Sequence, residues 1–208
     1  MRQFLRSLLA SFDRDRFAIQ RINAIRSELA GVSDGQLRAV ATRASGLLQF
    51  MAAAAVAASR ILSQDMYDVQ LRGALALARG SIAEMQTGEG KTLAAVPAVA
   101  WLARARKGVH VMTANDYLAG RDARWMGDVY RFLGLSTGYV QQGMTPAERR
   151  AAYACDVTYG TANEIGFDVL RDRLALRLDE QVHRPFFAAV YEASGAILFG
   201  ATVNDLPF

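Results

Sequence analysis

The residues best placed by type and spacing to do chemistry lie in one run, Met85-Gln86-Thr87-Gly88-Glu89-Gly90-Lys91-Thr92. Glycines at 88 and 90 let backbone N–H groups converge on an anion, and a helix opening at Lys91 aims its positive end at the same point. Lys91 supplies a cation for β- and γ-phosphates, and Thr92 supplies a hydroxyl for Mg²⁺. The run is a phosphate loop with its Gly-Lys-Thr end intact. It departs from the usual pattern at the first position, where Met85 stands in place of glycine or alanine. Lys91 and Lys107 are the only lysines in the chain, which gives Lys91 added weight.

Such a loop needs a strand before it and a helix after it. Residues 81–85 read as a short strand, and a helix runs from 91 to about 106 with Pro97 inside it. The alternation continues. A strand spans 108–113, and Asn115 or Asp116 caps a helix to about 132. A strand spans 135–140, and Thr145-Pro146-Ala147-Glu148 has capping-box spacing and opens a helix to about 154. A strand at 156–159, a helix over 163–173 and a strand over 186–191 complete the pattern. Strands separated by helices in this way predict an α/β fold, a parallel sheet flanked by helices.

The preceding 65 residues read as helices without visible chemistry. Phe17, Ile22, Ile25 and Leu29 mark one, and Ser33 or Asp34 caps another through Leu37, Val40 and Ala44. A third spans 47–62. Its near-apolar portion, 47–58, is too short to cross a bilayer and reads as a buried helix. The expected organisation is a helical segment over 1–66 and a nucleotide-binding domain over 67–208. Met1, Phe4, Leu5, Leu8, Leu9 and Phe12 form an apolar stripe accompanied by Arg2 and Arg6. That stripe suits either packing on the chain's own domain or an anionic membrane surface.

The 208 residues are 52% hydrophobic and 21% charged, enough for a sizeable core and unlike a disordered chain. A single cysteine, Cys155, excludes an internal disulfide framework and suits a reducing compartment. The start lacks the continuous apolar core of a secretory signal. The net charge of +4, nearly all arginine, fits an anionic partner without choosing phosphate, lipid or nucleic acid. His110 falls in an expected core strand and His183 in a loop with no evident partner. No spacing of His, Cys or carboxylates suggests a metal site of the protein's own.

The segment Ile82-Ala83-Glu84-Met85-Gln86-Thr87-Gly88-Glu89-Gly90-Lys91-Thr92-Leu93 resembles the phosphate-loop segment of the SecA family of bacterial preprotein translocase ATPases. Asp68-Val69-Gln70-Leu71 looks like that family's Q motif. Thr113-Ala114-Asn115-Asp116-Tyr117-Leu118-Ala119 with Arg121-Asp122-Ala123, and Asp156-Val157-Thr158-Tyr159-Gly160-Thr161 with Asn163-Glu164, Gly166-Phe167-Asp168 and Leu170-Arg171-Asp172, look like its later motifs. The similarity covers about residues 20 to 190. It implies a RecA-like motor domain that binds ATP or ADP with Mg²⁺. Gln70 would bind adenine, Gly88, Glu89, Gly90, Lys91 and Thr92 the phosphates, and Thr92 the metal. It also implies a cytoplasmic location, peripheral at the inner face of the plasma membrane. Partners would be Sec translocon components, a full-length export motor or a preprotein, with residues 1–14 meeting anionic lipid. Nucleic acid is not expected, since the motifs match the export family better than RNA helicases.

Two departures stand against full activity. The family's Val-Asp-Glu-Val-Asp-Ser motif aligns with Val190-Tyr191-Glu192-Ala193-Ser194-Gly195. Glu192 matches the expected water-polarising base, but Tyr191 replaces the aspartate that organises magnesium. The apolar strand over 196–202 follows too soon for a crossover helix. It suits a rearranged last strand, a hairpin or a divergent remnant. The second motor domain that supplies arginines is absent from these residues. The expectation is nucleotide binding with little or no hydrolysis by this chain alone. The alternative is a non-catalytic interaction module, or a truncated remnant, docking on the export machinery or membrane.

Overall fold

The computed structural model describes the backbone of residues 2–192 and 197–202 and the side chains of residues 15–192. Helix α1 spans Arg2–Leu29, α2 Asp34–Arg43, α3 Leu47–Leu62 and α4 Asp68–Ala78. Then follow β1 (Ile82–Glu84), α5 (Lys91–Ala103), β2 (Val109–Thr113), α6 (Asp116–Phe132), β3 (Thr137–Tyr139), α7 (Pro146–Tyr153), β4 (Val157–Thr161) and α8 (Ala162–Leu174). A 3₁₀ turn at Leu178–Glu180 leads to β5 (Ala188–Glu192) and β6 (Ile197–Thr202).

Local chemistry explains the boundaries. Ser33 caps α2 through a capping box with Gln36, and Thr145 caps α7 in the same way with Glu148. Asn115, rather than Asp116, caps α6 by accepting the Leu118 N–H at 2.9 Å. Helix α1 ends under Arg60, whose guanidinium bonds the carbonyls of Leu29, Ala30 and Val32 and the carboxylate of Asp34. A cation placed there answers the negative end of the helix. Pro97 is accommodated inside a continuous α5. The apolar stripe of residues 1–12 lies outside the described side chains; its backbone belongs to α1.

The sheet order is β1-β6-β5-β2-β4-β3. Strands β5, β2, β4 and β3 are mutually parallel, as the helix-separated pattern predicts. β6 differs, running antiparallel to both of its neighbours, β5 and β1. Only residues 193–196 join β5 to β6. A connection that short cannot hold a parallel crossover, so the chain reverses instead.

Side chains alternate across β2. Val109 and Val111 face the larger core with α5 and α6, while Met112 joins the smaller cluster of Val140, Ala152, Tyr153, Ile165 and Val182 on the other face. Helix α3 is buried without interruption from Phe50 to Ala58. A helix apolar all round must be surrounded, and α1, α2, α5 and α6 surround it. The helices of residues 15–66 therefore share one apolar core with the sheet.

Candidate nucleotide site

The phosphate loop joins β1 to α5. Gly88 and Gly90 adopt φ of +91° and +73°, the left-handed region that glycine enters without strain. Gly90 is also crowded, since a Cβ there would stand 2.4 Å from the Gln70 amide nitrogen. The loop closes on itself. The Glu89 N–H donates to the Gln86 carbonyl at 3.2 Å, and the Gln86 N–H donates to the Glu89 carboxylate at 2.7 Å. Lys91 Nζ donates to the same Gln86 carbonyl at 3.2 Å, so its ammonium lies folded over the loop at the start of α5. The α5 N-terminus, the lysine and the open turn together form an anion cradle.

Gln70 braces this cradle from α4. Its amide carbonyl accepts the Tyr67 N–H at 2.9 Å, capping α4, and its amide nitrogen donates to the Glu89 carbonyl at 3.0 Å. The residue is 5% exposed. Among the described residues each amide function makes one of these bonds, which leaves a lone pair on oxygen and an N–H on nitrogen. Tyr67, at the N-cap of α4, exposes its ring beside it. Met85 is buried with its sulfur against Gly73, where a Cβ would come within 2.9 Å. The bulky first loop residue is thus accepted because α4 carries a glycine opposite it.

The second wall is the end of β5. Glu192 meets the Thr92 hydroxyl in a long contact of 3.4 Å. Burial, then the negative field of Asp122, hold the Glu192 carboxyl above its usual range, while Thr92, Lys91 and Arg121 oppose the shift. A carboxylate so placed can accept a proton beside the loop. Tyr191 stands next to it, 36% exposed and in register with Met112 on β2 and Phe199 on β6. Tyr191 is the residue that the sequence reading aligns with a metal-organising aspartate, and a phenol there offers metal-bound water no carboxylate. Oxygen donors that suit Mg²⁺ remain in Thr92 and Glu192.

Asp122 is a residue that the sequence reading quoted but did not weigh. It is 1% exposed on α6, its Oδ1 accepting Arg121 Nε at 2.8 Å and Nη2 at 2.7 Å, and burial raises its carboxyl. An adjacent Arg-Asp pair on a helix gives no sign of burial, and only the packing reveals it. The motif-like residues 163–172 turn out to lock α7 onto α8. Arg149 binds Asp168 at 2.7 Å, Glu164 at 2.6 Å and the Gln141 carbonyl at 2.9 Å, and Tyr153 donates to Asp168 at 2.8 Å. His183 does have a partner, Asp172, 3.1 Å from its Nδ1. His110 is packed between Tyr153, His183 and Phe186.

Comparison with known proteins agrees with this geometry. The family model described as the SecA DEAD-like domain matches residues 10–202. The protein translocase subunit SecA of Bradyrhizobium diazoefficiens is 49% identical over 191 residues, covering 86% of this chain and 20% of that protein. The subunit of Nitrosococcus oceani is 47% identical with 86% and 21% covered, and that of Acidothermus cellulolyticus 48% identical with 86% and 19% covered. The chain thus spans about a fifth of the length of these relatives. The match runs through the helical segment, the phosphate loop and both strands of the terminal hairpin, and on it the chain belongs to the SecA DEAD-like domain family.

Proposed function

We propose that this chain is a nucleotide-binding domain of the protein-export motor that holds ATP or ADP at the phosphate loop and by itself hydrolyses little. The observation that carries the reading is the cradle: left-handed Gly88 and Gly90, the lysine over the loop, and Gln70 bonded to the loop backbone. Gln70 reads adenine with its free N–H and lone pair, residues 88–92 hold the phosphates, and Thr92 holds Mg²⁺. When bound, Mg²⁺ neutralises phosphate charge. Glu192 positions water, but Tyr191 leaves that water without its second anchor. An arginine supplied by a second motor domain is worth about 10³ to 10⁵ in rate where it operates, and the low turnover proposed is that of residues 1–208 by themselves.

The helices of 1–66 serve as the shoulder against which α5 and α6 pack, and 67–208 as the nucleotide domain. Partners are sought among Sec translocon components, a complete export motor and preproteins. Residues 1–14 address anionic lipid; among the described residues no helix is long and apolar enough to cross a membrane. A docking role gains support from Leu174, Leu176 and Leu178, exposed at 81%, 96% and 85%.

Calorimetric titration with ADP and GDP, with and without Mg²⁺, tests the central reading. Saturable ADP binding that exceeds GDP binding is the expected result. A folded protein that takes up no adenine nucleotide at millimolar concentration contradicts it.

A further inference from the structure

Among the described residues, β1 has a single ladder partner, and that partner is β6. Ile82, Ala83 and Glu84 lie opposite Phe199, Leu198 and Ile197. β6 also pairs with β5 along its length, Leu198 opposite Glu192 and Gly200 opposite Val190. β1 leads directly into the phosphate loop, so the strand that delivers the loop is fastened to the sheet through an antiparallel strand rather than through a parallel neighbour. The same hairpin touches the far side of the loop, because Glu192 at the end of β5 meets Thr92 at the loop's exit. Helix α4, whose Gln70 holds the Glu89 carbonyl, packs on both β1 and β6. Entry, middle and exit of the loop are therefore all tied, directly or through α4, to the β5–β6 hairpin.

We infer that this hairpin is a clasp, and that docking of β6 and ordering of the phosphate loop are one coupled equilibrium. A three-residue strand has too few ladder bonds to hold its place alone, so undocking of β6 frees β1 and with it the loop. Where the loop binds nucleotide, as proposed above, linkage makes the effect reciprocal: nucleotide seats β6, and an undocked β6 weakens nucleotide binding by the same factor. The device follows from the short 193–196 connection, which brings the chain back between β1 and β5.

Hydrogen exchange on the full chain tests it. Leu198→Pro removes a ladder N–H from a strand paired on both sides, without touching a loop residue. In the absence of nucleotide, amides of residues 82–92 should exchange about 30-fold faster in this variant, the middle of the usual range of coupling. Amides of β2 and β4 should keep their rates and so show that the rest of the fold persists. If the proline variant does not fold, Leu198→Gly serves as the milder form with the same expected direction. Unchanged exchange at 82–92 overturns the clasp whether or not nucleotide binds. Saturating ADP should slow exchange in β6 of the unaltered protein about 5-fold or more; a bound ADP that leaves β6 unaffected overturns the coupling while leaving the nucleotide reading intact. Absence of any ADP binding to the unaltered chain defeats the nucleotide reading, and the ligand-free arm still decides the clasp.

Discussion

The wall of the cleft built from β1, the loop and α5 gathers two left-handed glycines, Lys91 and Gln70, whereas the wall built from β5 offers Glu192 with Tyr191 beside it. On the first wall the glycines, Lys91 and Gln70 converge within hydrogen-bond distance of one turn. On the second, Glu192 remains, partly held by the Thr92 hydroxyl, and the antiparallel β6 lies alongside. Holding a polyphosphate and splitting it place different demands on a site. The first needs charge and backbone donors. The second needs a metal and a water fixed within narrow limits. A chain can therefore keep one capacity when the residues for the other have changed.

The comparison is most sharply broken through Lys91. Lys91→Ala removes the loop's ammonium and should weaken ADP binding roughly 100-fold, since hydrogen bonds to charged groups each contribute about 1.5–3 kcal/mol. Calorimetry reads this loss, and circular dichroism should show an unchanged helix signal.

A second test concerns the support of the β5 wall. His110 lies on β2 beside Phe186, just before β5, and its imidazole is pushed down to about 4, mainly by burial and then by His183. The groups facing it are His183, Arg184, Tyr153 and the Ala188 backbone. A histidine whose folded value lies below its unfolded one is neutral in the fold. Nothing is lost above about pH 6.5, and stability falls as pH drops toward 4 because the unfolded chain takes the proton first. The contribution of this one group between pH 7 and pH 5 is about 2 kcal/mol. Urea melts at the two pH values should show His110→Phe losing less stability on acidification than the unaltered protein. His183, also shifted downward, leaves part of the pH dependence in place.

Gly90→Ala sharpens the account of the first wall. It forces a side chain into φ +73° and against the Gln70 amide, at a cost of about 1–2 kcal/mol from the backbone alone. A melting temperature lower by about 3–8 °C is expected, with ADP binding about 10-fold weaker as Gln70 is displaced. Equal binding would mean that Gln70 does not brace the loop.

Tyr191→Asp has the smallest expected effect. Restoring a carboxylate beside Glu192 should raise the Mg²⁺ dependence of nucleotide binding a few-fold, about 1 kcal/mol or less. Titration with and without Mg²⁺ measures it.

Much of this was legible in the sequence because the signals are local. The phosphate loop is a contiguous pattern, and the bounds of α3 and α6 follow from apolar spacing and an Asn cap. Helix α4 was not legible. Gly73 interrupts a run in which Leu71, Ala74, Leu75 and Leu77 are all buried, so no face stands out. The place of β6 in the sheet could not be read either, because connection length excludes a parallel crossover without choosing the neighbour. The burial of Asp122 and the Arg149–Asp168 pair depend on partners brought together by folding: a charge on a helix surface and a charge beneath one have the same letters. The role of Gln70 was half legible. Its motif points to adenine, but its bonds to the Tyr67 and Glu89 backbones appear only in three dimensions.

The central claim is that this site holds nucleotide without turning it over, and phosphate release under saturating ATP and Mg²⁺ tests it most directly, with Lys91→Ala run alongside. The account predicts release far below about one per second, the low end for a working enzyme, and no different from that of the lysine variant. Release near one per second that vanishes in Lys91→Ala would contradict it, and would mean that another carboxylate or a second copy of the chain completes the metal site.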